Sequence, residues 1–313
     1  MAEGPRDLSG CSLLAVFAHP DDESLACGGL LAWCASLGAH VSLCCATRGE
    51  LGPWSGKERV LAPGHVQPGA GASDVPASLR EARVQELQAA SRVLGVADVV
   101  LLDYEDGMLP WVDAERLEAD LRGTIGRLRP DVVITFGEDG LYGHPDHIAI
   151  HERTTAAVAA LGKDAPALYY VTMPAGSMRS VLHHAEETLA KQGAGGQSPH
   201  RILGIADPDA FGALAPLPTL VLDVGRFAAR KLAAIKCHRT QLEHDALALL
   251  ADGDAARLLG TEQFHRASVG SQGDAFIERF ASPSSRGPIL RPSAGAPQTA
   301  RRAEARARLR DRP

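Results

Sequence analysis

The stretch SLLAVFAHPDDESLACGGLLAWCASLG, residues 12–38, places an apolar run, a polar cluster and a second apolar segment in direct succession. Residues 12–18 are almost entirely apolar and of strand length, which is typical of a strand buried on both faces of a parallel sheet. Residues 24–37 have the length and composition of a helix, which Gly38 ends. A strand followed at once by a helix is the repeating unit of an α/β fold.

The same alternation continues along the chain. Apolar runs predict further strands at residues 41–46, 99–102, 132–136 and 168–172, and helical periodicity predicts helices at residues 78–94, 113–128 and 145–161. We therefore expect an α/β fold with a doubly wound, mostly parallel, Rossmann-like sheet.

Three parts follow from this pattern. Residues 1–175 are predicted to form the catalytic core, residues 176–281 a C-terminal elaboration that completes the pocket, and residues 282–313 a disordered tail rich in Arg, Pro and Ala. Residues 48–77 are rich in Gly and Pro, which indicates either a functional or a flexible loop. Residues 176–199 are expected to hold a short helix and a flap.

Charge and composition exclude several classes of protein. The 313-residue chain has a net charge of −6, and the tail holds eight arginines against two acidic residues, so the remainder is strongly acidic. An acidic body argues against nucleic acid as a partner. We expect neither a signal peptide nor a membrane-spanning run, and six cysteines without a CxxC pair predict a reduced, cytoplasmic protein. The sequence leaves open whether the protein forms a homo-oligomer.

Two polar clusters follow predicted strands. The first is HPDDE, residues 19–23, after the first strand, and the second is LYGHPDH, residues 141–147, after the fourth. In doubly wound sheets the strand order reverses between two such strands, and ligands bind at the carboxyl edge there. We therefore expect both clusters to line one crevice.

Three side chains in these clusters are candidate metal ligands. His19 and Asp22 are three residues apart, and His147 provides a third ligand from the other cluster. Two imidazoles and one carboxylate with open positions suit a catalytic divalent metal, zinc most readily and ferrous iron as an alternative. Such an ion lowers the pKa of water to about 7.

Neighbouring residues are candidates for the other catalytic roles that hydrolysis of an amide requires. Asp21 is a candidate general base, although a turn or cap role is open. His144, when protonated, is expected to stabilise an oxyanion and to donate a proton to the leaving amine, and Asp146 to orient His144 or cap the following helix. Tyr142 is either a hydrogen-bond donor or part of the pocket wall.

The motifs AHPDDE, residues 18–23, and GHPDH, residues 143–147, resemble those of the LmbE-like, PIG-L superfamily of zinc-dependent de-N-acetylases. The resemblance implies zinc binding by His19, Asp22 and His147, and a base role for Asp21. It also implies that three further residues stabilise the oxyanion and transfer protons, namely His144, Asp146 and Tyr142.

Four other residues match less specific segments of that superfamily. Arg80 in LREARVQEL and Asp106 in DYEDGML correspond to residues that bind the substrate, although a solvated helix face and an ordinary turn explain them equally well. His238 and Gln241 in KLAAIKCHRTQ resemble a C-terminal pair that we also assign to substrate binding, with its role held open.

The predicted function is a zinc-dependent hydrolase that removes the N-acetyl group from a small N-acetylglucosamine-type conjugate. Two alternatives remain open. One is an amidase that acts on a thiol conjugate of the mycothiol type, and the other is a non-catalytic sugar- or nucleotide-binding module.

Overall fold

A computed structural model describes residues 7–52, 78–193 and 201–281. Its seven strands form one sheet with the order β3-β2-β1-β4-β5-β7-β6. The strands are β1 (Ser12–Phe17), β2 (His40–Cys45), β3 (Asp98–Leu101), β4 (Val132–Phe136), β5 (Ala167–Thr172), β6 (Leu220–Asp223) and β7 (Thr261–Gly270). The predicted strands therefore lie within about a residue of the observed ones.

The first five strands are parallel, and the chain reverses its direction of progress across the sheet at β1. Leu13 of β1 pairs with Val41 of β2 on one side and with Val132 of β4 on the other. The prediction of a doubly wound, mostly parallel sheet is confirmed, and the carboxyl ends of β1 and β4 lie side by side as expected.

The helices cover both faces of this sheet. Helices α1 and α2 contact each other and α7, whereas α3 contacts α5. The bounds are α1 (Asp22–Ser36), α2 (Leu79–Leu94), α3 (Ala114–Leu128), α4 (Gly140–Gly143), α5 (Pro145–Ala159), α6 (Ser177–Lys191), α7 (Ala228–Ile235) and α8 (Asp252–Leu259). Helix α6 is longer than the short helix predicted within residues 176–199.

Helix α1 is interrupted near its middle. Cys27 has the non-helical dihedral angles φ −147° and ψ 19°, and the backbone N–H groups of Gly29 and Leu30 both donate at 2.8 Å to the Glu262 carboxylate. Because Glu262 also accepts from Lys231 Nζ at 2.8 Å, this buried carboxylate joins the second half of α1 to β7 and α7.

The strands β6 and β7 were not predicted. β7 pairs antiparallel with both β5 and β6, so residues 201–281 extend the same sheet that the first 175 residues begin. Local pattern identifies them poorly because β6 has only four residues and β7 places the charged Glu262 at a buried position. The predicted tail at residues 282–313, most of the 48–77 loop and all but the first residue of the predicted flap at residues 193–199 lie outside the described residues.

All six cysteines lie within the described residues, and each is a free thiol. Over the same ranges, none of the helices combines the length and apolar character needed to cross a bilayer.

Candidate active site

The turn between β1 and α1 directs two neighbouring carboxylates to different sides. Asp21 has a φ of 108°, in the half of the φ/ψ map that residues with a Cβ seldom adopt. Asp22 Oδ2 accepts the backbone N–H of His19 at 2.8 Å, whereas Asp21 Oδ2 accepts from Arg83 at 3.1 Å. Asp22 therefore lies against His19, and Asp21 points away from it.

His147 reaches the same point from the other side of the sheet reversal. Its ring stacks on Phe136, the last residue of β4, with centroids 3.9 Å apart. His147 Nδ1 lies 3.1 Å from the Gly140 carbonyl oxygen, and because a carbonyl only accepts, Nδ1 carries the proton. The lone pair of Nε2 then faces Asp22 Oδ1 at 3.2 Å and His19 Nδ1 at 3.1 Å.

His19 presents its own lone pair to the same point. Its Nε2 lies 3.0 Å from Asp106 Oδ1 and 3.2 Å from Asp146 Oδ2, so the ring proton belongs on Nε2 and Nδ1 is free to accept. Burial lowers the pKa of His19, but the neighbouring carboxylates outweigh burial and raise it well above its usual value.

The three predicted ligands therefore fit a divalent cation. His19 Nδ1, His147 Nε2 and the Asp22 carboxylate oxygens lie 3.1 to 3.5 Å apart, while two ligands of a tetrahedral zinc ion are about 3.3 Å apart. Two imidazole nitrogens and a carboxylate that face one another can hold a cation, and a metal ion there would replace the second proton that the raised pKa of His19 otherwise favours. Burial raises the pKa of Asp22, yet the two imidazoles outweigh that effect and lower it.

Asp146 supports the ring of His19 rather than that of His144. Its carboxylate, which is fully buried, contacts His19 and also accepts the N–H groups of Gly107 at 2.8 Å and Leu109 at 3.2 Å. The sequence prediction placed this carboxylate on His144. The structure differs because His144 caps α5 and its Nδ1 accepts the backbone N–H of Asp146 at 3.2 Å, which leaves the carboxylate for His19.

Asp106 lies on the same side of His19. The residue is 6% exposed, and its Oδ2 accepts the Leu51 N–H at 2.8 Å. Burial raises the pKa of Asp106, but His19 and this backbone donor outweigh burial and lower it. The role predicted for Asp106, binding of sugar hydroxyls, remains a prediction, and the contact with His19 indicates a role in orienting a metal ligand.

His144 borders the three ligands. With His19 and His147 it forms a group whose nitrogens all lie within 4.8 Å of one another. Burial and the two neighbouring imidazoles lower the pKa of His144 to about 4. The structure therefore favours a neutral ring with its proton on Nε2, in place of the protonated ring that was predicted.

Tyr142 closes the site beside the histidines. Its ring centroid is 5.1 Å from that of His147 and 5.9 Å from that of His144, both edge to face. Burial raises the pKa of Tyr142 well above its usual value, and nearby carboxylates add to this effect. Tyr142 thus keeps its proton and can donate a hydrogen bond, while its ring also forms part of the wall.

Arg83 is a functional residue that was not predicted from the sequence. It is 4% exposed and bonds the Asp21 carboxylate, the Pro20 carbonyl and the Gly49 carbonyl. Burial raises the pKa of Asp21 to about 7, although the Arg83 guanidinium opposes this shift. A carboxyl group with that pKa can both accept and release a proton near neutral pH.

Arg80, which was predicted to bind substrate, lies at the exposed edge of the face of α2 on which Arg83 is buried. Its side chain is 39% exposed and pairs with Asp103 and Glu50. Helical periodicity could have distinguished the two arginines. Arg83 lies four residues after the buried Leu79 and four before the buried Leu87, so it belongs to the apolar face, where an unpaired arginine is unstable.

His238 and Gln241 lie behind the site. His238 is fully buried, and its Nε2 contacts Glu23 Oε1 at 3.0 Å. Gln241 is 6% exposed and donates from Nε2 to Thr240 Oγ1 at 3.0 Å. Their assignment to substrate binding remains a prediction, and the burial of His238 gives it a different environment from the one expected.

Comparison with known proteins gives a consistent result. The family model described as PIG-L, GlcNAc-PI de-N-acetylase, matches residues 14–158. The chain is 34% identical over 272 residues to the 1D-myo-inositol 2-acetamido-2-deoxy-alpha-D-glucopyranoside deacetylase of Acidothermus cellulolyticus, covering 81% of this chain and 87% of that protein. The protein of the same description from Nakamurella multipartita is 35% identical, covering 74% and 80%.

Solved structures share the fold. The conserved protein TT1542 from Thermus thermophilus matches with a TM-score of 0.52 at 22% identity, covering 84% of this chain and 96% of that chain. The N,N'-diacetylchitobiose deacetylase from Pyrococcus horikoshii matches with a TM-score of 0.50 at 21% identity, covering 82% and 83%.

Proposed function

The chain belongs to the GlcNAc-PI de-N-acetylase (PIG-L) family, and from this premise we propose that it is a metal-dependent N-deacetylase that releases acetate from an N-acetylglucosamine conjugate. The observation that carries the proposal is the arrangement of the turn after β1. Asp22 joins His19 and His147 in one group of ligands, while the adjacent Asp21 stays outside that group.

Zinc is the proposed metal. Two imidazoles and one carboxylate, without a thiolate, form a donor set that catalytic zinc sites use, and ferrous iron accepts the same set. When bound, an ion of this kind lowers the pKa of water and polarises a carbonyl group. Asp106 and Asp146 hold the His19 ring in the orientation and tautomer that binding requires.

Asp21 is the proposed general base. Its carboxylate lies on the side of the turn away from the three proposed ligands. Its raised pKa of about 7 suits it to take a proton from water and to return it to the leaving amine. His144 and Tyr142 both carry a proton at neutral pH. They are the proposed donors to the negative charge that develops on the acetyl oxygen.

The proposed substrate has N-acetylglucosamine linked to inositol. This assignment rests on the relatives from Acidothermus cellulolyticus and Nakamurella multipartita, which are described as deacetylases of that compound. The chain spans most of both proteins, so the parts of those enzymes outside the family motifs have counterparts here.

Acetate release from N-acetylglucosaminyl inositol tests the proposal directly. The purified protein should contain close to one zinc or iron ion per chain, release acetate and lose activity on chelation, and then recover on addition of Zn²⁺. Free N-acetylglucosamine and a thiol conjugate with a larger acyl group serve as comparison substrates. Turnover of the thiol conjugate alone would instead favour the amidase, and unchanged turnover after complete metal removal would exclude the proposed mechanism.

A further inference from the structure

A buried ionisable pair lies directly behind the proposed base. Glu23 and His238 are both fully buried, and His238 Nε2 contacts Glu23 Oε1 at 3.0 Å. Burial of such a pair costs more in desolvation than the pair regains, unless further hydrogen bonds complete it. Stability alone therefore gives no reason for these two residue types here.

Both oxygens of Glu23 are engaged. Oε2 accepts the backbone N–H of Asp21 at 3.1 Å, and Oε1 accepts from the hydroxyl of Ser24 and faces His238 Nε2. Glu23 thus connects His238, which follows α7 some 215 residues later, to the backbone of the proposed base.

That backbone needs support. A φ of 108° at Asp21 is a strained conformation, which persists only where the surroundings hold it. Glu23 accepts the backbone N–H of Asp21. The carbonyl of Asp21 accepts the N–H groups of Ser24 and Leu25 at 3.1 and 3.2 Å, and its carboxylate accepts from Arg83. In this conformation the two adjacent aspartates point to different sides.

His238 restricts Glu23 in turn. The ring donates from Nε2, and among the described residues its buried Nδ1 has no hydrogen-bond partner. An unsatisfied buried nitrogen is destabilising, and an apolar residue would fill this position without that cost. The functional group used is therefore the single N–H directed at Glu23.

We propose that Glu23 and His238 form a positioning dyad, in which His238 fixes the Glu23 carboxylate and Glu23 holds the Asp21 backbone in the conformation that keeps its carboxylate outside the ligand group. In this role His238 acts through Glu23, in place of the substrate-binding role that the sequence predicts for it. The proposal rests on the deacetylase function above.

The first test is Glu23→Gln. Asp21 and His238 face different oxygens of Glu23, and glutamine replaces one of these oxygens with an NH2 group, so it cannot accept from both in this arrangement. We expect kcat to fall by about 10- to 100-fold, as a small misplacement of a catalytic group does. KM and the metal content should remain close to those of the wild type.

Glu262→Gln is the matched control. Glu262 is also a buried carboxylate that accepts backbone N–H groups of α1 and pairs with a cation, Lys231, but it contacts no residue of the proposed site. Both variants should lose thermal stability, and only Glu23→Gln should lose kcat measured on folded protein.

His238→Gln and His238→Leu separate donation from packing. Glutamine restores an N–H donor near the position of Nε2, whereas leucine fills the space without one. We expect His238→Gln to retain most of kcat and His238→Leu to reproduce the loss seen in Glu23→Gln. Equal activity in the two His238 variants would overturn the role of His238.

A double-mutant cycle tests whether the dyad acts through Asp21. In an Asp21→Asn background, Glu23→Gln should cause no further loss of kcat, and a crystal structure of Glu23→Gln should show Asp21 outside the positive-φ region. A full multiplicative loss, or a Glu23→Gln enzyme as active as Glu262→Gln, would overturn the dyad. An inactive wild type would instead refute the proposed function, so the two failures are distinguishable.

Discussion

His19 connects the two halves of the site through the two nitrogens of one ring. Nδ1 faces Asp22 and His147, and Nε2 faces Asp106 and Asp146. Because the carboxylates hold the proton on Nε2, the lone pair of Nδ1 is available to a metal. The ligands and the residues that orient them thus come from three separate segments of the chain, and their contacts lead to two predictions.

Asp21→Asn should retain the metal and lose turnover. The amide has the shape of the carboxyl group but cannot take a proton, and general-base catalysis contributes about 10²- to 10⁴-fold. Metal content by atomic absorption and kcat by acetate release measure the two effects. Asp98→Asn, at the exposed amino end of β3, is the control and should change neither. Turnover near the wild-type level in Asp21→Asn would exclude Asp21 as the base.

Asp106→Asn should weaken metal binding. Loss of a residue that orients a ligand typically lowers metal affinity by about 10- to 100-fold, and competition with a zinc chelator measures this change. If Asp106 instead binds sugar hydroxyls, as predicted from the sequence, KM rises while metal affinity stays the same. The two measurements therefore decide between the roles.

At the scale of elements, helix α1 depends on close packing at its interruption. A Cβ on Gly29 would lie 2.6 Å from Val224 Cγ2, a distance that requires backbone movement. A Cβ on Gly28 would lie 3.3 Å from Lys231 Cγ, a distance that a shift of a few tenths of an ångström relieves. The sequence predicts that this glycine pair lies in a helix packed closely on the sheet, and the structure shows that the two positions differ.

Gly29→Ala should destabilise the protein, whereas Gly28→Ala should be nearly neutral. Overpacking of a well-packed site costs about 1–3 kcal/mol, and alanine favours a helix by up to about 1 kcal/mol at either position. Urea denaturation followed by circular dichroism gives the free energy of unfolding of both variants. Equal stabilities would show that the approach of α1 to Val224 is not tight.

At the scale of the whole molecule, the C-terminal residues belong to the same sheet as the core. β7 pairs with β5, and α7 packs against α1 and α2 while leading to His238 behind the site. The described residues thus share one continuous sheet and one buried core. The predicted division at residue 175 falls between β5 and α6, inside that sheet.

A fragment of residues 1–175 should fail to fold cooperatively. Removal of β7 leaves β5 as an unpaired edge and exposes the face of α1 that α7 covers. A fragment of residues 1–281, which retains every described element, should unfold in a single transition with an unchanged kcat. Thermal denaturation followed by circular dichroism compares the two, and a cooperative 1–175 fragment would support an independent N-terminal domain.

Much of the fold follows from local patterns. The strand at residues 12–18 and the helix at residues 78–94 were predictable because a buried strand and an amphipathic helix have clear periodicities. The meeting of His19 with His147 was predictable from topology, since parallel strands end at a common edge. β7 was not predicted, because its pairing with β5 and β6 depends on residues far away in the chain.

The sequence by itself determined the α/β class, the two polar clusters and the three candidate ligands, since these depend on residue type and short-range spacing. Tertiary structure alone decided that Asp146 supports His19, that Arg83 contacts the Asp21 carboxylate, and that His238 lies behind Glu23. Each of these contacts joins segments separated by 62 to 215 residues. Side-chain direction at such a distance is set by the packing of whole elements, which no local pattern encodes.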